Sequence, residues 1–218
     1  MGNEFWTPIK LSLQVASISV IIVFICSLLL AGWMIRSSFP GKPIIETIFI
    51  LPLVLPPTVV GFLLIIIFGR NSFVGQWMEW FFGQSLMFTW WAALIASTVV
   101  SFPLMYQSVK TGFLGVDADI QDAARQDGAN ERQVLFYVTI PLAVKPLLSG
   151  CILSFARALG EFGATLMFAG NIPNKTQTLP TAIYMAMETG NMKLAWLWVF
   201  SIILISFAML YVVSLLKE

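Results

Sequence analysis

Residues 121–141 read QDAARQDGANERQVLFYVTIP, inside the longest polar segment of the chain, residues 110–145. Ala123 and Ala124 leave the first half of this stretch without a bulky side chain, which suits close docking against another protein. An ordinary polar hairpin would show the same composition. The residues alone therefore leave two interpretations open, a docking element and a passive hairpin.

The same polar segment predicts two short helices. Asp117 or Asp119 can cap the first helix, and Gly128 stands where a helix end favours a residue that adopts positive φ. Asn130, with Gln133 three residues later, resembles a capping box for the second helix. We expect a helix–turn–helix hairpin here.

The rest of the chain is apolar. Of its 218 residues, 58% are hydrophobic and 11% are charged, against about a quarter charged in ordinary soluble domains. So little charge cannot cover a globule in water, so the surrounding solvent must be lipid. Five stretches are long enough to span a membrane: residues 11–35, 44–68, 87–107, 146–168 and 194–216. The prediction is one all-α domain, residues 1–218, built as a polytopic bundle of five transmembrane helices.

Loop charges predict the orientation of this bundle. With the N-terminus outside, seven basic residues lie on the cytoplasmic side: Arg36, Lys42, Lys110, Arg125, Arg132, Lys145 and Lys217. Four lie outside: Lys10, Arg70, Lys175 and Lys193. This bias favours an outside N-terminus and a cytoplasmic C-terminus. The first apolar run has no small-residue cleavage site, so we expect a retained helix rather than a signal peptide.

The second predicted span contains three prolines, Pro52, Pro56 and Pro57, followed by Thr58. Each proline removes a backbone donor and clashes with the preceding turn. In a bilayer, irregular backbone is tolerated where it is buried in protein or lines a cavity. These four residues are therefore candidates for a transport pathway or gate, and the alternative is a packing kink.

Several classes of function are disfavoured by composition. The chain has no His, and Cys26 and Cys151 lie in apolar runs, so neither a metal centre nor a Ser/His/Asp triad is expected. There is no basic stripe for nucleic acid. No phosphate-binding Gly-x-x-x-x-Gly-Lys-[Ser/Thr] loop occurs, so the chain is not expected to hydrolyse ATP. We predict a protein that is not an enzyme and holds no cofactor.

Two charges fall inside the fourth predicted span, Arg157 and, four residues later, Glu161. A charge at this depth is costly and needs a partner or a cavity. The spacing allows the two side chains to pair on one helix face. We favour a structural pair over a role for Arg157 in guiding an anion. Residues 171–191 are too polar to lie in lipid and are expected to form an outer loop.

Residues 121–130 and the following 138–141 resemble the coupling-loop signature of binding-protein-dependent ABC importer permeases, Glu-Ala-Ala, three residues, Gly, about nine residues, then Ile-x-Leu-Pro. This chain has Asp122 for the glutamate and Ile140 for the leucine. Pro141 closes the signature, soon after the predicted second helix. The resemblance implies a cytoplasmic coupling helix that docks on a separate ATPase subunit. The residues it assigns to this contact are Asp122, Ala123, Ala124, Gly128, Ala129 and Pro141.

Further blocks resemble the molybdate permeases of that family: residues 39–42, 51–57, 101–104, 155–165, 171–173 and 178–180. This resemblance implies a type I importer permease fold in a prokaryotic cytoplasmic membrane. It also implies an extracytoplasmic oxyanion-binding protein, a second copy of the chain, and molybdate as substrate. Sulfate and tungstate permeases share several blocks and remain alternatives.

Two other classes of membrane protein fit the composition. An ion-coupled secondary transporter needs ion-binding carboxylates, and the sequence predicts that Glu161 alone lies inside the membrane. A non-transporting membrane anchor gives no reason for the proline-rich second span. The permease interpretation accounts for both the polar hairpin and the prolines.

Overall fold

The computed structural model describes the backbone of residues 2–217 and the side chains of residues 5–81 and 83–211. Regular structure in this part of the chain is helical throughout. The helices are α1 Gly2–Arg36, α2 Lys42–Val54, α3 Pro57–Phe68, α4 Phe73–Phe82, α5 Trp90–Leu114, α6 Ala118–Gln126, α7 Glu131–Gln133, α8 Ile140–Leu142, α9 Val144–Leu159, α10 Gly163–Phe168, α11 Leu179–Glu188 and α12 Met192–Lys217. A π-helical turn, Val134–Thr139, joins α7 to α8.

Three of these helices, α1, α5 and α12, are long and apolar enough to cross a membrane without interruption. The central one is α5, which buries 13 of its residues. Thr89 caps its first turn by accepting a hydrogen bond from the backbone of Ala92. The helix continues for two further turns beyond Gln107, where the predicted span ends, to Leu114, just before Gly115. The polar segment 110–145 therefore begins within a helix.

The second predicted span is interrupted. Helix α2 ends at Val54 and α3 begins at Pro57, and the two axes are bent by 120°. Leu55 and Pro56 between them have extended backbone, because consecutive prolines cannot continue the hydrogen-bond ladder. The break predicted from the prolines is present.

Despite this bend, α2 and α3 together run the length of α5. Near one end, Glu46 contacts Lys110. Near the other, Leu64 of α3 packs in one cluster with Leu86 and Ala92. A helix as long as α5 spans about 37 Å, so the α2–α3 segment passes from one end of the bundle to the other.

The fourth predicted span is also interrupted, which the sequence analysis did not predict. Helix α9 ends at Leu159, residues 160–162 are non-helical, and α10 begins at Gly163. Leu147 near the start of α9 packs with Phe113, and Phe168 at the end of α10 accepts a hydrogen bond from the backbone of Phe88. This segment therefore also runs antiparallel to α5. A second bend, of 75°, separates α8 from α9.

Helix α1 runs in the same direction as α5. Its Ser19 donates to the Leu94 carbonyl, and Ala31 packs with Val109 and Phe113 further along α5. Near the start of α12, Trp198 donates a hydrogen bond to the Phe5 carbonyl near the start of α1, so these two helix ends lie side by side. If each bent segment counts as one pass, the described residues form up to five passes between two ends of the bundle, and the prediction of a polytopic all-α bundle is confirmed.

Two short helices lie at the end that holds the start of α1. Helix α4 exposes Trp77, Trp80 and Phe81 on one face, as expected for a helix in a membrane interface. Helix α11 replaces the predicted outer loop in part. It packs between α1 and α12, and its first backbone N–H, on Leu179, donates to Ser12. The loop prediction was too coarse because it relied on polar composition alone.

Candidate functional site

The hairpin predicted from residues 117–133 is present. Asp117 caps α6 by accepting a hydrogen bond from the Asp119 N–H at 3.0 Å. Gly128 has φ of +92°, with no atom within 4 Å of the position that a Cβ would take. A side chain there would meet backbone strain rather than a steric clash. The prediction of a positive φ at Gly128 is confirmed.

The second helix of the hairpin begins with the predicted capping box. The Asn130 side chain accepts from the Gln133 N–H at 2.9 Å, and the Gln133 side chain accepts from the Asn130 N–H at 2.8 Å. Helical backbone then continues past Pro141, which corrects the expectation that proline follows the helix. The chain passes through the π-helical turn directly into α8, which contains Pro141.

Helix α6 presents a surface that the described part of the chain leaves uncovered. None of its residues, all of which are described, is buried. Ala123 is exposed, Ala124 and Ala129 are half-buried, and Ile120 is 48% exposed. Beside them lies a cavity of about 420 Å³, lined by Thr111, Gly112, Gly115, Val116, Asp117, Ile120, Leu142 and Pro146. Small side chains next to an apolar cavity form a surface on which another protein can pack closely.

A chain of charges ties this hairpin to the end of α1. Arg125 contacts Asp122 at 2.6 Å and Glu131 at 2.6 Å, and Arg36 of α1 lies 3.5 Å from Glu131. The hydrogen bond from Arg125, supported by the charge of Arg36, lowers the pKa of Glu131. The carboxylate of Asp122, the first predicted coupling residue, is thus already held within the hairpin.

The two helix breaks lie side by side in the middle of the bundle. Gly163, at the start of α10, is so close to Pro57 that a Cβ on it would lie 2.9 Å from the proline Cβ. Earlier in α9, before the break, Ser154 donates to the Ser101 carbonyl in α5. Discontinuous helices that meet at this depth are typical of transport pathways.

The other pathway candidates lie around this junction. Pro52 is inside α2, where it is half-buried and does not end the helix. Pro56 forms the extended link, and Pro57 starts α3. Thr58 is exposed. The break is therefore at Leu55–Pro56, and Pro52 lies outside it.

Arg157 and Glu161 form the charge pair at the second break. Arg157 Nη1 lies 2.7 Å from Glu161 Oε2, with the two side chains 28% and 1% exposed. The other carboxylate oxygen accepts from the Ala164 N–H at 2.8 Å. Glu161 therefore ties the end of α9 to the start of α10, a second role that spacing alone did not reveal.

One further ion pair was missed by sequence reasoning. Lys110 Nζ lies 2.7 Å from Glu46 Oε1, and both side chains are less than a third exposed. Glu46 belongs to the predicted span 44–68, so Glu161 is not the only acid within a predicted span. The sequence does show Glu46 close to the start of an apolar run. Nothing in the sequence indicates that Lys110, 64 residues away, is its partner.

Residues 11–217 match the family described as binding-protein-dependent transport system inner membrane component. The chain is 61% identical over 213 residues to YvgM of Bacillus subtilis (strain 168), which carries the provisional name of a molybdenum transport system permease protein. That match covers 98% of this chain and 94% of the relative. This chain is also 40% identical over 207 residues to the molybdenum transport system permease protein ModB of Escherichia coli (strain K12), and that match covers 94% of this chain and 90% of ModB.

The fold resembles a chain in the crystal structure of a bacterial ABC transporter involved in import of the acidic polysaccharide alginate. The TM-score is 0.75 with 15% sequence identity, covering all of this chain and 79% of the other. At that identity the likeness concerns the fold, which is that of an ABC importer permease. The resemblance inferred from residues 121–141 is confirmed. The chain belongs to the family of binding-protein-dependent transport system inner membrane components.

Proposed function

We propose that this chain is the membrane-spanning subunit of an ATP-driven importer for molybdate, with ATP hydrolysed on a separate nucleotide-binding subunit. The observation that carries the proposal is the hairpin at residues 117–142, because α6 extends from the bundle with no buried residue and a small-residue surface. Such a rigid helix can pass a partner's movement to the bundle as a rigid-body shift. Asp122, Ala123, Ala124, Gly128, Ala129 and Pro141 are the proposed contact and positioning residues.

The proposed topology has the N-terminus outside and the C-terminus in the cytoplasm. Its support is that α1 and α5 run in parallel, so the N-terminus lies at the end opposite to the hairpin. If the hairpin meets a cytoplasmic ATPase, the N-terminus must face outward. A reporter active only in the cytoplasm tests this proposal. Activity is expected when it is fused after Glu218 and not when it is inserted at Lys175, and the reverse result would refute the topology.

The proposed pathway lies on the two-fold axis of a homodimer, next to the paired helix breaks. Five passes in one chain leave little room for a channel, whereas two copies share an axis and present two hairpins to two ATPase subunits. Pro56, Pro57 and Thr58 would line or gate this axis. An extracytoplasmic binding protein would deliver the oxyanion to the end that holds α4 and α11.

The choice of molybdate rests on the two relatives described above, whose names assign molybdenum transport. Sulfate and tungstate are the alternatives, because all three are tetrahedral oxyanions. An ion-coupled transporter is less well supported, since Glu46 and Glu161 are each paired with a basic side chain.

Reconstitution in proteoliposomes tests the function. The chain is combined with the ATPase subunit and the oxyanion-binding protein from the same genome, and uptake of molybdate, tungstate and sulfate is measured with and without ATP. ATP-dependent uptake that requires the binding protein is expected, with molybdate preferred. ATP-independent uptake driven by an ion gradient would refute the importer, and a preference for sulfate would refute the substrate alone.

A further inference from the structure

Helix α2 differs from the other membrane-embedded segments in how little of it is buried. None of its 13 residues, all of which are described, is buried. Four of its large apolar side chains, Ile44, Ile48, Leu51 and Val54, are between 42% and 77% exposed. A helix that buries so little surface gains little packing energy from the rest of its own chain.

Both ends of α2 have backbone suited to a hinge. Gly41, directly before it, has φ of +127° with open space around the Cβ position. After it, Leu55 and Pro56 are extended and carry the 120° bend. Element ends with such backbone can absorb changes in φ and ψ while the helix between them stays rigid.

Contacts of Phe49 and Glu46 hold α2 against α5. The ring of Phe49 packs edge-on against Phe102 and Tyr106, with centroids 5.6 and 5.2 Å apart. One helical turn before it, Glu46 pairs with Lys110 at 2.7 Å, with side-chain exposures of 21% and 29%. The ion pair is the stronger constraint on geometry, because it requires two side chains to meet at one distance in a partly desolvated place.

We propose that Glu46 and Lys110 are positioning residues for transport, and that their ion pair is a latch that α2 releases and remakes in each cycle. Rotation about Gly41 and Leu55–Pro56 swings α2 away from α5 while α3 stays packed on α10. The latch then controls the part of the proposed pathway between the mid-bundle helix breaks and the end of the bundle that carries the hairpin. This inference rests on the proposed function, since the cycle is that of the importer.

State-dependent cross-linking tests the latch. In a Cys26→Ser, Cys151→Ser background, Glu46→Cys and Lys110→Cys are combined and treated with a short, reducible bifunctional thiol reagent. The assembled complex is compared without nucleotide and with ATP and vanadate. A latch predicts cross-linking rates that differ at least about tenfold between the two states, which corresponds to about 1.4 kcal/mol. Equal rates in a complex that transports would overturn it.

A matched control uses the Arg70–Glu79 pair, which joins the region after α3 to α4 at 3.6 Å. Arg70→Cys with Glu79→Cys should cross-link equally in both nucleotide states and keep transport. Cross-linked Glu46→Cys/Lys110→Cys protein should lose transport and regain it on reduction, and retained transport would also overturn the latch.

A charge exchange keeps the proposal testable if the cysteine pair disturbs folding. Glu46→Gln should raise the ATP hydrolysed per oxyanion imported, and Glu46→Lys with Lys110→Glu should restore the ratio. A single variant with a normal ratio would refute the latch. Failure of the unmodified chain to assemble with the ATPase subunit would instead refute the proposed function.

Discussion

Removing Arg157 should be more damaging than removing both members of the Arg157–Glu161 pair. Arg157→Ala leaves the Glu161 carboxylate, 1% exposed, with the Ala164 N–H as its remaining hydrogen-bond partner among the described residues. Breaking a buried pair in this way costs about 3–5 kcal/mol. Glu161→Ala leaves Arg157, 28% exposed, without its acidic partner. It also removes the cap on the Ala164 N–H, and loss of a cap alone costs about 1–2 kcal/mol. The double variant loses the cap but leaves no unpaired charge, so its free energy of unfolding should fall by only about 1–2 kcal/mol.

These figures predict a coupling energy of at least about 3 kcal/mol in a double-mutant cycle. The assay is unfolding in mixed detergent micelles, with membrane abundance and oxyanion uptake per folded molecule measured on the same variants. Glu161→Gln is the matched control, because its amide oxygen can still cap Ala164 while the charge is gone. Additive free energies would refute the structural role, and an abundant but inactive double variant would show that Arg157 acts on the anion.

Three further outcomes are expected. Gly128→Val should insert normally but lose ATP-driven uptake, because a β-branched residue is disfavoured at positive φ. Gly83→Val, at φ of +67° and at the end of the bundle opposite to the hairpin, should keep uptake, and normal uptake by Gly128→Val would refute the coupling role. The pKa of Glu131 in the folded protein lies below the ordinary value of 4.5. The Glu131 carboxylate therefore stabilises the fold above pH 4.5, and this stabilisation is lost as pH falls through the folded pKa. Thermal melting temperatures measured against pH should show this loss, and Glu131→Gln should abolish the pH dependence. Gly61→Ala should lower the free energy of unfolding by about 1–3 kcal/mol through overpacking, because its Cβ would lie 2.7 Å from Met167 of α10. Gly32→Ala is the control and should be neutral or stabilising, because the nearest atoms are 3.9 Å away. Equal stabilities of the two variants in the same unfolding assay would refute the close packing at Gly61.

Local signals predicted the hairpin and one of the two breaks. Asn130 and Gln133 form their capping box from neighbouring backbone, and Pro56 with Pro57 stops a helix wherever it occurs. Such features depend on a few adjacent residues. They are therefore readable without knowledge of the tertiary structure.

The second break depends on contacts that one sequence does not show. Glu161 holds the chain out of helical geometry by pairing with Arg157 and capping Ala164, and no proline marks the place. Lys110 likewise has no sequence signal for its partner Glu46, since hydropathy describes average burial and not pairing. Orientation of the segments relative to one another becomes visible only when such contacts are known.

The π-helical turn at Val134–Thr139 fixes the direction in which α6 points. A π turn accommodates one more residue than an α turn, and each residue of an α-helix rotates the chain by about 100°. Because the π turn holds its extra residue within one turn, deleting that residue would let α7 and α8 join as ordinary α-helix with the hairpin close to its present direction. The same deletion in the α-helical backbone beside the π turn would instead turn the hairpin by about a quarter of a revolution about the helix axis. The docking face of α6 would then point in a different direction around the helix axis, although every side chain on it was unchanged. A single codon of insertion or deletion is thus a means by which related permeases could adapt to ATPase subunits seated at different angles.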